Sequence, residues 1–458
     1  MKKHTGIKIA YIGGGSRGWA RTLMNDLAKE PLLSGEVALY DIDYEAARIN
    51  EKIGNDLSAR NDVVGKWRYV AVKNCKDALI KADFVFISIL PGTFDEMESD
   101  VHTPEKYGIY QSVGDSVGPG GAIRALRTVP MYIEIANNIK AYCPDAWVVN
   151  FTNPMTVCTR SLYKAYPEIK AFGCCHEVFA VQDLIAKIYN EKTGENITRA
   201  DVKTNVIGIN HFTFIDSAFY GNTDLMPMVK EFAEEHYESG YNSHGSHWMN
   251  NSFACCERVK FDLLKRYGIL GAAGDRHLAE FCPGKWYLGS KENVEKWKFG
   301  LTGVKWRRED LKERIKKTEM LVSGEKKLEF FDSGEESVEQ IKALLGIVDL
   351  VTNVNLPNRG QIEGLPSEAV VETNAVFTAG KISPSLAGRL PTPLEGLVSR
   401  NVLNQETLVQ AAFTGDMELA FSAFVNDPLV TIGLDDARDL FNLMTYNTRK
   451  YIPFYKKI

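Results

Sequence analysis

The residues best suited to chemistry lie in Gly173-Cys174-Cys175-His176-Glu177-Val178 and, further along, in Gly208-Ile209-Asn210-His211-Phe212. The first stretch closes a strand-like run and offers a thiol and an imidazole. The second closes another strand-like run, Val202 to Ile209, and offers a second imidazole. Cys175 and His211 are thus soft and borderline donors delivered from two strand ends, a set that suits a divalent transition metal with positions left open for substrate. The competing readings are a thiol that only packs and a core histidine satisfied by hydrogen bonding. A second dense stretch, Gly274 to Glu280, sets an acid, a cation and an imidazole side by side as Asp275, Arg276 and His277, directly after an apolar run. Such density points to a site. His244 and His247, three apart in a polar stretch, can bind metal, although histidines in such stretches are more often surface residues.

The elements that must hold these residues begin with Ile7 to Ile12, a compact apolar strand followed by Gly13-Gly14-Gly15-Ser16-Arg17-Gly18 and a helical pattern from Trp19 through Leu23 and Leu27. Gly13, Gly15 and Gly18 stand at GxGxxG spacing, and a second strand, Val37 to Tyr40, ends at Asp41. Strand, glycine turn and helix N-terminus let a pyrophosphate approach the backbone around Ser16 and Arg17. An acid at Asp41 can hydrogen-bond a ribose 2′-hydroxyl and would repel a 2′-phosphate, which favours NAD over NADP. A structural turn in some other α/β protein is the bland alternative.

Further strands are expected at Trp67 to Val72, Asp83 to Leu90, Ala146 to Phe151 and Ala171 to Cys175, which complete a six-stranded dinucleotide-binding sheet. The near-continuous apolar run Asp83 to Leu90 reads as buried on both faces of a parallel sheet. Ser112 to Gly121 reads as a glycine-rich loop where ligands gather. The helix expected to begin near Ala122 carries Arg124 and Arg127, facing a cofactor, an anionic substrate or solvent. Asn153, at the tip of the fifth strand, can orient a sugar hydroxyl or a nicotinamide, and Asn-Pro is equally a turn signal. Lys305 to Lys317 and Ser323 to Lys327 read as exposed helix and loop. The expected fold is α/β: a Rossmann-like doubly wound sheet of the lactate/malate dehydrogenase kind over residues 1–200 for NAD, then a mixed α+β domain over 201–458 for substrate, metal and oligomerisation.

A formal net charge of −5 provides no footprint for nucleic acid or an anionic membrane, and no apolar run approaches the length of a membrane span. The chain opens directly into a strand without an apolar signal segment, so a cytoplasmic protein is expected. None of the eight cysteines shows CxxC spacing, which leaves free thiols, one of them a candidate ligand.

Taken in order, IAYIGGGSRGWA, GDSVGPGGAIRALRTVP, FTNP, GCCHEV and GINHF resemble the NAD- and metal-dependent glycoside hydrolases of family 4, which depart from the two-carboxylate scheme of most glycosidases. The resemblance covers most of the chain. It implies that Cys175 and His211 hold a catalytic Mn²⁺, and the Cys-His-Glu-Val sequence at Cys175 to Val178 resembles that of the members acting on α-galacturonides. The implied chemistry is hydride transfer from C3 of the sugar to NAD⁺, loss of the C2 proton with Mn²⁺ stabilising the enediolate, elimination at C1, addition of water, and return of proton and hydride. Phosphosugar members use a Tyr base where this chain reads Gly-Asp-Arg-His, so the base is expected from His277 or Asp275. His176 is the expected acid and Arg276 the expected contact for a uronate carboxylate. The resemblance implies a homodimer or homotetramer. Alternatives are an α-glucuronidase, α-glucosidase or α-galactosidase of the same family, an NAD-dependent hydroxy-acid dehydrogenase, and a non-catalytic NAD-binding sensor.

Overall fold

The computed structural model describes residues 3–243, 254–331 and 333–455; His244 and His247 lie outside the described residues. The first half runs β1 (His4–Ile12), α1 (Trp19–Lys29), β2 (Leu33–Tyr40), α2 (Tyr44–Ser58), β3 (Lys66–Val72), α3 (Cys75–Leu79), β4 (Phe84–Ile87), α4 (Phe94–His102), α5 (Gly118–Tyr142), β5 (Trp147–Asn150), α6 (Met155–Ala165), β6 (Lys170–Gly173) and α7 (Glu177–Thr193). It continues with β7 (Lys203–Ile209), β8 (Phe212–Tyr220), β9 (Thr223–Asp224), α8 (Met226–Glu235), α9 (Arg258–Tyr267), β10 (Leu270–Gly271), α10 (Asp275–Glu280), α11 (Gly284–Tyr287), α12 (Lys291–Trp297), α13 (Val304–Ser323) and α14 (Ser337–Leu344). The last stretch holds β11 (Leu350–Pro357), β12 (Ile362–Glu363), β13 (Val370–Thr378), β14 (Lys381–Pro384), β15 (Gly388–Arg389), α15 (Thr392–Thr414), α16 (Met417–Val425) and α17 (Leu434–Thr448).

Six strands form a parallel sheet in the order β3-β2-β1-β4-β5-β6, the order of a dinucleotide-binding fold. Along β1, Ile7, Ile9 and Tyr11 join one apolar layer with α1, α2 and α14, while Ala10 and Ile12 join the opposite layer with α3, α5 and α6. Alternate side chains therefore meet helices on both faces, which is why these strands read as continuous apolar runs. Beyond β6 the sheet continues with antiparallel β11, β13 and β14, with Asn355 opposite Gly173. A smaller antiparallel sheet of β7, β8 and β10, with β9 paired to β8, presents Ile207, Ile209, Phe212 and Phe214 to α5 and α15 to α17, and Val206 and Ile215 to α7 and α8. The C-terminal half is mixed α+β. No helix among the described residues is long and apolar enough to cross a membrane.

One boundary differs from the expectation. The helix read as starting near Ala122 begins at Gly118, with Pro119 in its first turn, where a missing N–H costs no hydrogen bond. Gly120 and Gly121 are helical because nothing larger fits: a Cβ on Gly120 would come within 2.7 Å of the Gly114 carbonyl oxygen, and one on Gly121 within 2.5 Å of Ser116. These glycines serve close packing rather than a loop.

Candidate active site

At the C-terminal end of β1, Gly13 has φ +94°, and a Cβ there would overlap the Ser88 carbonyl, so only glycine fits. Asn50 of α2 spans the loop, donating to the carbonyl oxygens of Gly14 at 2.8 Å and Ser16 at 2.9 Å, and accepts from Arg21 Nε at 3.0 Å. Asp41, at the end of β2, accepts from the amides of Gly15 at 2.8 Å and Asp43 at 2.9 Å. Burial raises its carboxyl above the usual range while these bonds oppose the rise. Ser16, Arg17 and Gly18 are half-buried, and α1 follows Gly18 with no side-chain cap, so its first amides remain open to an anion. A cradle that a Cβ would fill, facing an uncapped helix, fits a pyrophosphate.

Four connections converge on the other end of the site: the turn from β6 to α7 with Cys175, His176 and Glu177, the turn from β7 to β8 with His211, the segment before α5 with Asp115 and Ser116, and α10 with Arg276 and His277. The rings of His211 and His277 lie 4.0 Å apart. Ser116 donates to Asp115 Oδ1 at 3.0 Å and lies 3.2 Å from His211 Nδ1. With its proton given to the carboxylate, the hydroxyl accepts from Nδ1–H, which leaves the Nε2 lone pair of His211 free for a ligand. Burial keeps His211 below the ordinary histidine range, hence neutral. Burial raises the Cys175 thiol well above its usual range, helped by Glu372 and Glu177. A small, open recess lies beside Cys175, lined among others by Phe179, Glu335, Gln340 and Asn353.

His277 is buried and held neutral, by burial first and by His211 second. Its Nε2 lies 3.6 Å from Glu177 Oε1, while its Nδ1 has no hydrogen-bond partner. Burial raises the Glu177 carboxyl, but His277, Arg276, His211 and His176 together pull it well below the usual range. The other Glu177 oxygen accepts from the Gly274 amide at 2.7 Å and so pins the start of α10. His176 caps α7, half-exposed, with Nδ1 2.9 Å from Glu335 Oε1; that hydrogen bond raises its pKa. Arg276 is buried and donates from Nη1 to Thr302 Oγ1 at 3.0 Å.

Asp275 turns elsewhere. Its oxygens accept from the amides of Val259 at 3.0 Å and Lys260 at 3.2 Å, and one lies 3.7 Å from Lys260 Nζ, so it caps α9. Burial raises its pKa. Cys255, Glu257 and Asp275 could together surround a metal, but the Lys260 ammonium, ion-paired to Glu257, already supplies a cation there. Asn153 lies at the tip of β5, where its carbonyl accepts from Arg124 Nε at 3.0 Å. Arg127 is fully buried against Asp100 and the Pro91 carbonyl, a structural role.

Asp115 is held at about 2: burial pushes it up, and Arg124, His211, His277 and Arg307 together outweigh that. Glu280 is pushed up to about 8 by burial, against the amides of Val113 and Gly114 that it accepts at 2.7 and 2.9 Å. Buried atoms of this region that lack a partner include His277 Nδ1, Asn210 Oδ1, Asn353 Oδ1, Asn153 Oδ1, Arg124 Nη1, Arg307 Nε and Glu280 Oε2. Buried polar groups are ordinarily bonded, so this concentration marks where the polar atoms of a ligand belong. The half-buried thiol of Cys175 and the free Nε2 of His211 form a donor set that fits a divalent transition metal.

The pattern describing the family 4 glycosyl hydrolases matches residues 8–191, and that of their C-terminal domain matches residues 206–430. The chain belongs to family 4 of the glycosyl hydrolases. An α-galacturonidase of Thermoanaerobacterium saccharolyticum is 62% identical over 98% of this chain and 97% of its own length. A crystal structure from Bacillus subtilis, 52% identical, superposes with a TM-score of 0.92 over 96% of this chain and 100% of that one. The 6-phospho-β-glucosidase of Thermotoga maritima, solved with manganese, NAD⁺ and glucose-6-phosphate, is 22% identical with a TM-score of 0.77, over 97% of this chain and 99% of that one, a likeness of fold.

For this family 4 chain, sequence reasoning passed over Asp115, Ser116, Glu177, Glu280 and Arg307 as individual residues. Glu177 stood inside the quoted cysteine motif and Asp115 inside the glycine-rich stretch, so position was a signal for both. Glu280 closed the dense stretch that begins at Gly274, so it had the same signal, whereas Arg307 stood in a stretch read as exposed and had none.

Proposed function

We propose that this chain is an α-galacturonidase, hydrolysing α-galacturonides with NAD and a divalent metal, Mn²⁺ by preference. The observation that carries the reading is the neutral His277, its Nδ1 without a partner, set against His211 and Glu177, in a chain whose 62%-identical relative is named for that activity. Cys175 and His211 would hold the metal; Gly13, Gly15, Ser16, Arg17, Gly18 and Asp41 would hold the dinucleotide. When bound, NAD would supply a hydride acceptor and the metal a Lewis acid, which together would make the C2 proton of the sugar removable.

His277 takes up that proton. With Nε2–H turned toward Glu177, its Nδ1 lone pair is the open acceptor, and burial keeps it unprotonated at neutral pH. Glu177 orients the ring and stabilises the imidazolium that forms. His176, whose proton Glu335 helps retain, is the acid toward the leaving oxygen. Arg276 faces the uronate carboxylate and Asn153 a ring hydroxyl. Of the two expected bases we assign the step to His277, because Asp275 spends its oxygens on α9 and positions Arg276 and His277 from the start of α10. Residues 1–200 would serve chiefly the dinucleotide and 201–458 the sugar, metal and subunit contacts, in a cytoplasmic homodimer or homotetramer.

The test is release of p-nitrophenol from its α-galacturonide and α-glucuronide, with and without NAD⁺ and Mn²⁺, while NADH absorbance is followed. Hydrolysis of the galacturonide that needs both additions and leaves no net NADH is the expected result. Net NADH without nitrophenol would replace the proposal with a dehydrogenase.

A further inference from the structure

The stretch Lys305 to Lys317 carries enough charge to read as a solvated helix, and much of α13 is exposed. Arg307 is half-buried, with its Nε enclosed. Arg307 lies in the first turn, between the fully buried Val304 and outward-facing Arg308, which pairs with Asp95 at 2.6 Å. The start of this helix is fixed to the floor of the active site: the Thr302 amide donates to the Ser112 carbonyl at 2.8 Å, and the Thr302 hydroxyl accepts from Arg276 at 3.0 Å. The Ser112 hydroxyl in turn donates to the Arg276 carbonyl. Arg307 is thereby carried to the same neighbourhood as Arg276, and Asp115 is the charge that acts on it most strongly.

Its Nε is buried and has no hydrogen-bond partner. A buried guanidinium N–H without an acceptor is costly, and the ordinary remedy is an acceptor from solvent or ligand. Arg276, tied to Thr302 at the start of the same helix, brings a second guanidinium to this place, and two cations side by side favour an anionic acceptor.

We infer that Arg307 is a specificity-determining residue that, with Arg276, receives the carboxylate of the substrate's uronate ring. Two guanidinium groups from separate elements, α10 and α13, then grip one planar carboxylate, and a neutral hexose leaves the Arg307 Nε without an acceptor. This rests on the α-galacturonidase reading.

The experiment compares p-nitrophenyl α-galacturonide with its methyl ester, which keeps the ring and removes the charge, using the holoenzyme and the variants R307Q and R307K. In the wild type the acid should be preferred. In R307Q the ratio of kcat/KM for acid over ester should fall about 30- to 100-fold, mainly through KM, as expected for the loss of a charge-assisted pair. R307K, which keeps the charge but loses the fork, should recover part of that ratio. Equal losses on acid and ester, or an unchanged ratio in both variants, would overturn the inference while leaving the galacturonidase reading intact. A wild type that cleaves the ester or the neutral galactoside but not the acid would overturn both.

Discussion

The dinucleotide loop and the sugar end of the site are neighbours built on opposite plans. Around Gly13 to Gly18 the chain offers backbone, and that backbone is tied off by its own residues, Asn50 on two carbonyls and Asp41 on two amides. At the sugar end the chain offers side chains, and several of them are left without partners in a buried place. The first is a mould finished before its ligand arrives. The second is stable only as far as neighbouring packing holds unsatisfied groups in place, and binding supplies what is missing. The difference teaches that, on the proposed reading, the cofactor end would depend on backbone shape, whereas discrimination among sugars would depend on which partnerless atoms a given ring can satisfy.

The comparison breaks most visibly if the two ends are not independent. His211→Ala should lower kcat by about 10³-fold, because the loss of a ligand removes several kcal/mol of transition-state stabilisation. Elemental analysis should find the metal lost, while NAD⁺ affinity, read from tryptophan fluorescence, stays within about threefold. A parallel collapse of NAD⁺ binding would merge the two ends. Gly13→Ala is the converse. With φ at +94° and the Ser88 carbonyl in the way, it should weaken NAD⁺ binding by about 10- to 100-fold, the effect of 1–3 kcal/mol of strain, and leave metal content unchanged.

The smallest effect is one of pH. The Glu280 carboxyl is raised from 4.5 to about 8, so the folded state binds its proton more tightly than the unfolded chain does. Stability from this group is therefore greatest below 4.5 and declines as pH rises toward 8. Glu280→Gln removes the ionisable group. Its melting temperature should match the wild type near pH 5 and exceed it by about 2–4 °C near pH 9. Identical pH profiles for the two proteins would mean that Glu280 is ionised in the folded state, and the charge balance around Asp115 would change with it.

The same contrast explains what could be read from the sequence. The six parallel strands, the glycine turn and Asp41 were legible because backbone conformation leaves marks in residue type: glycine where φ is positive, apolar runs where both faces are covered. Cys175, His176, His211, Arg276 and His277 were legible as unusual types in short stretches. The orientation of Asp275 toward α9 was not, because nothing in Gly-Asp-Arg-His says which way the first turn of α10 faces. Gly120 and Gly121 misled for a related reason, since glycine demanded by close packing looks the same as glycine demanded by a turn. Arg307 was hidden among the charges of α13, where only the pinning of Thr302 shows which side is inward.

The strand that delivers Cys175 has its last neighbour far along the chain. β6 pairs with β5 on one side, and its other edge pairs with β11, Asn355 opposite Gly173, while the Phe172 ring packs against Phe377 of β13. During synthesis that edge emerges long before the segment that covers it, and an uncovered edge is a template for wrong pairing as well as a slow, long-range contact to complete. The thiol therefore acquires its final surroundings late in assembly, and a chain stopped short of β11 would carry every cofactor-loop residue yet lack the strand that frames the thiol.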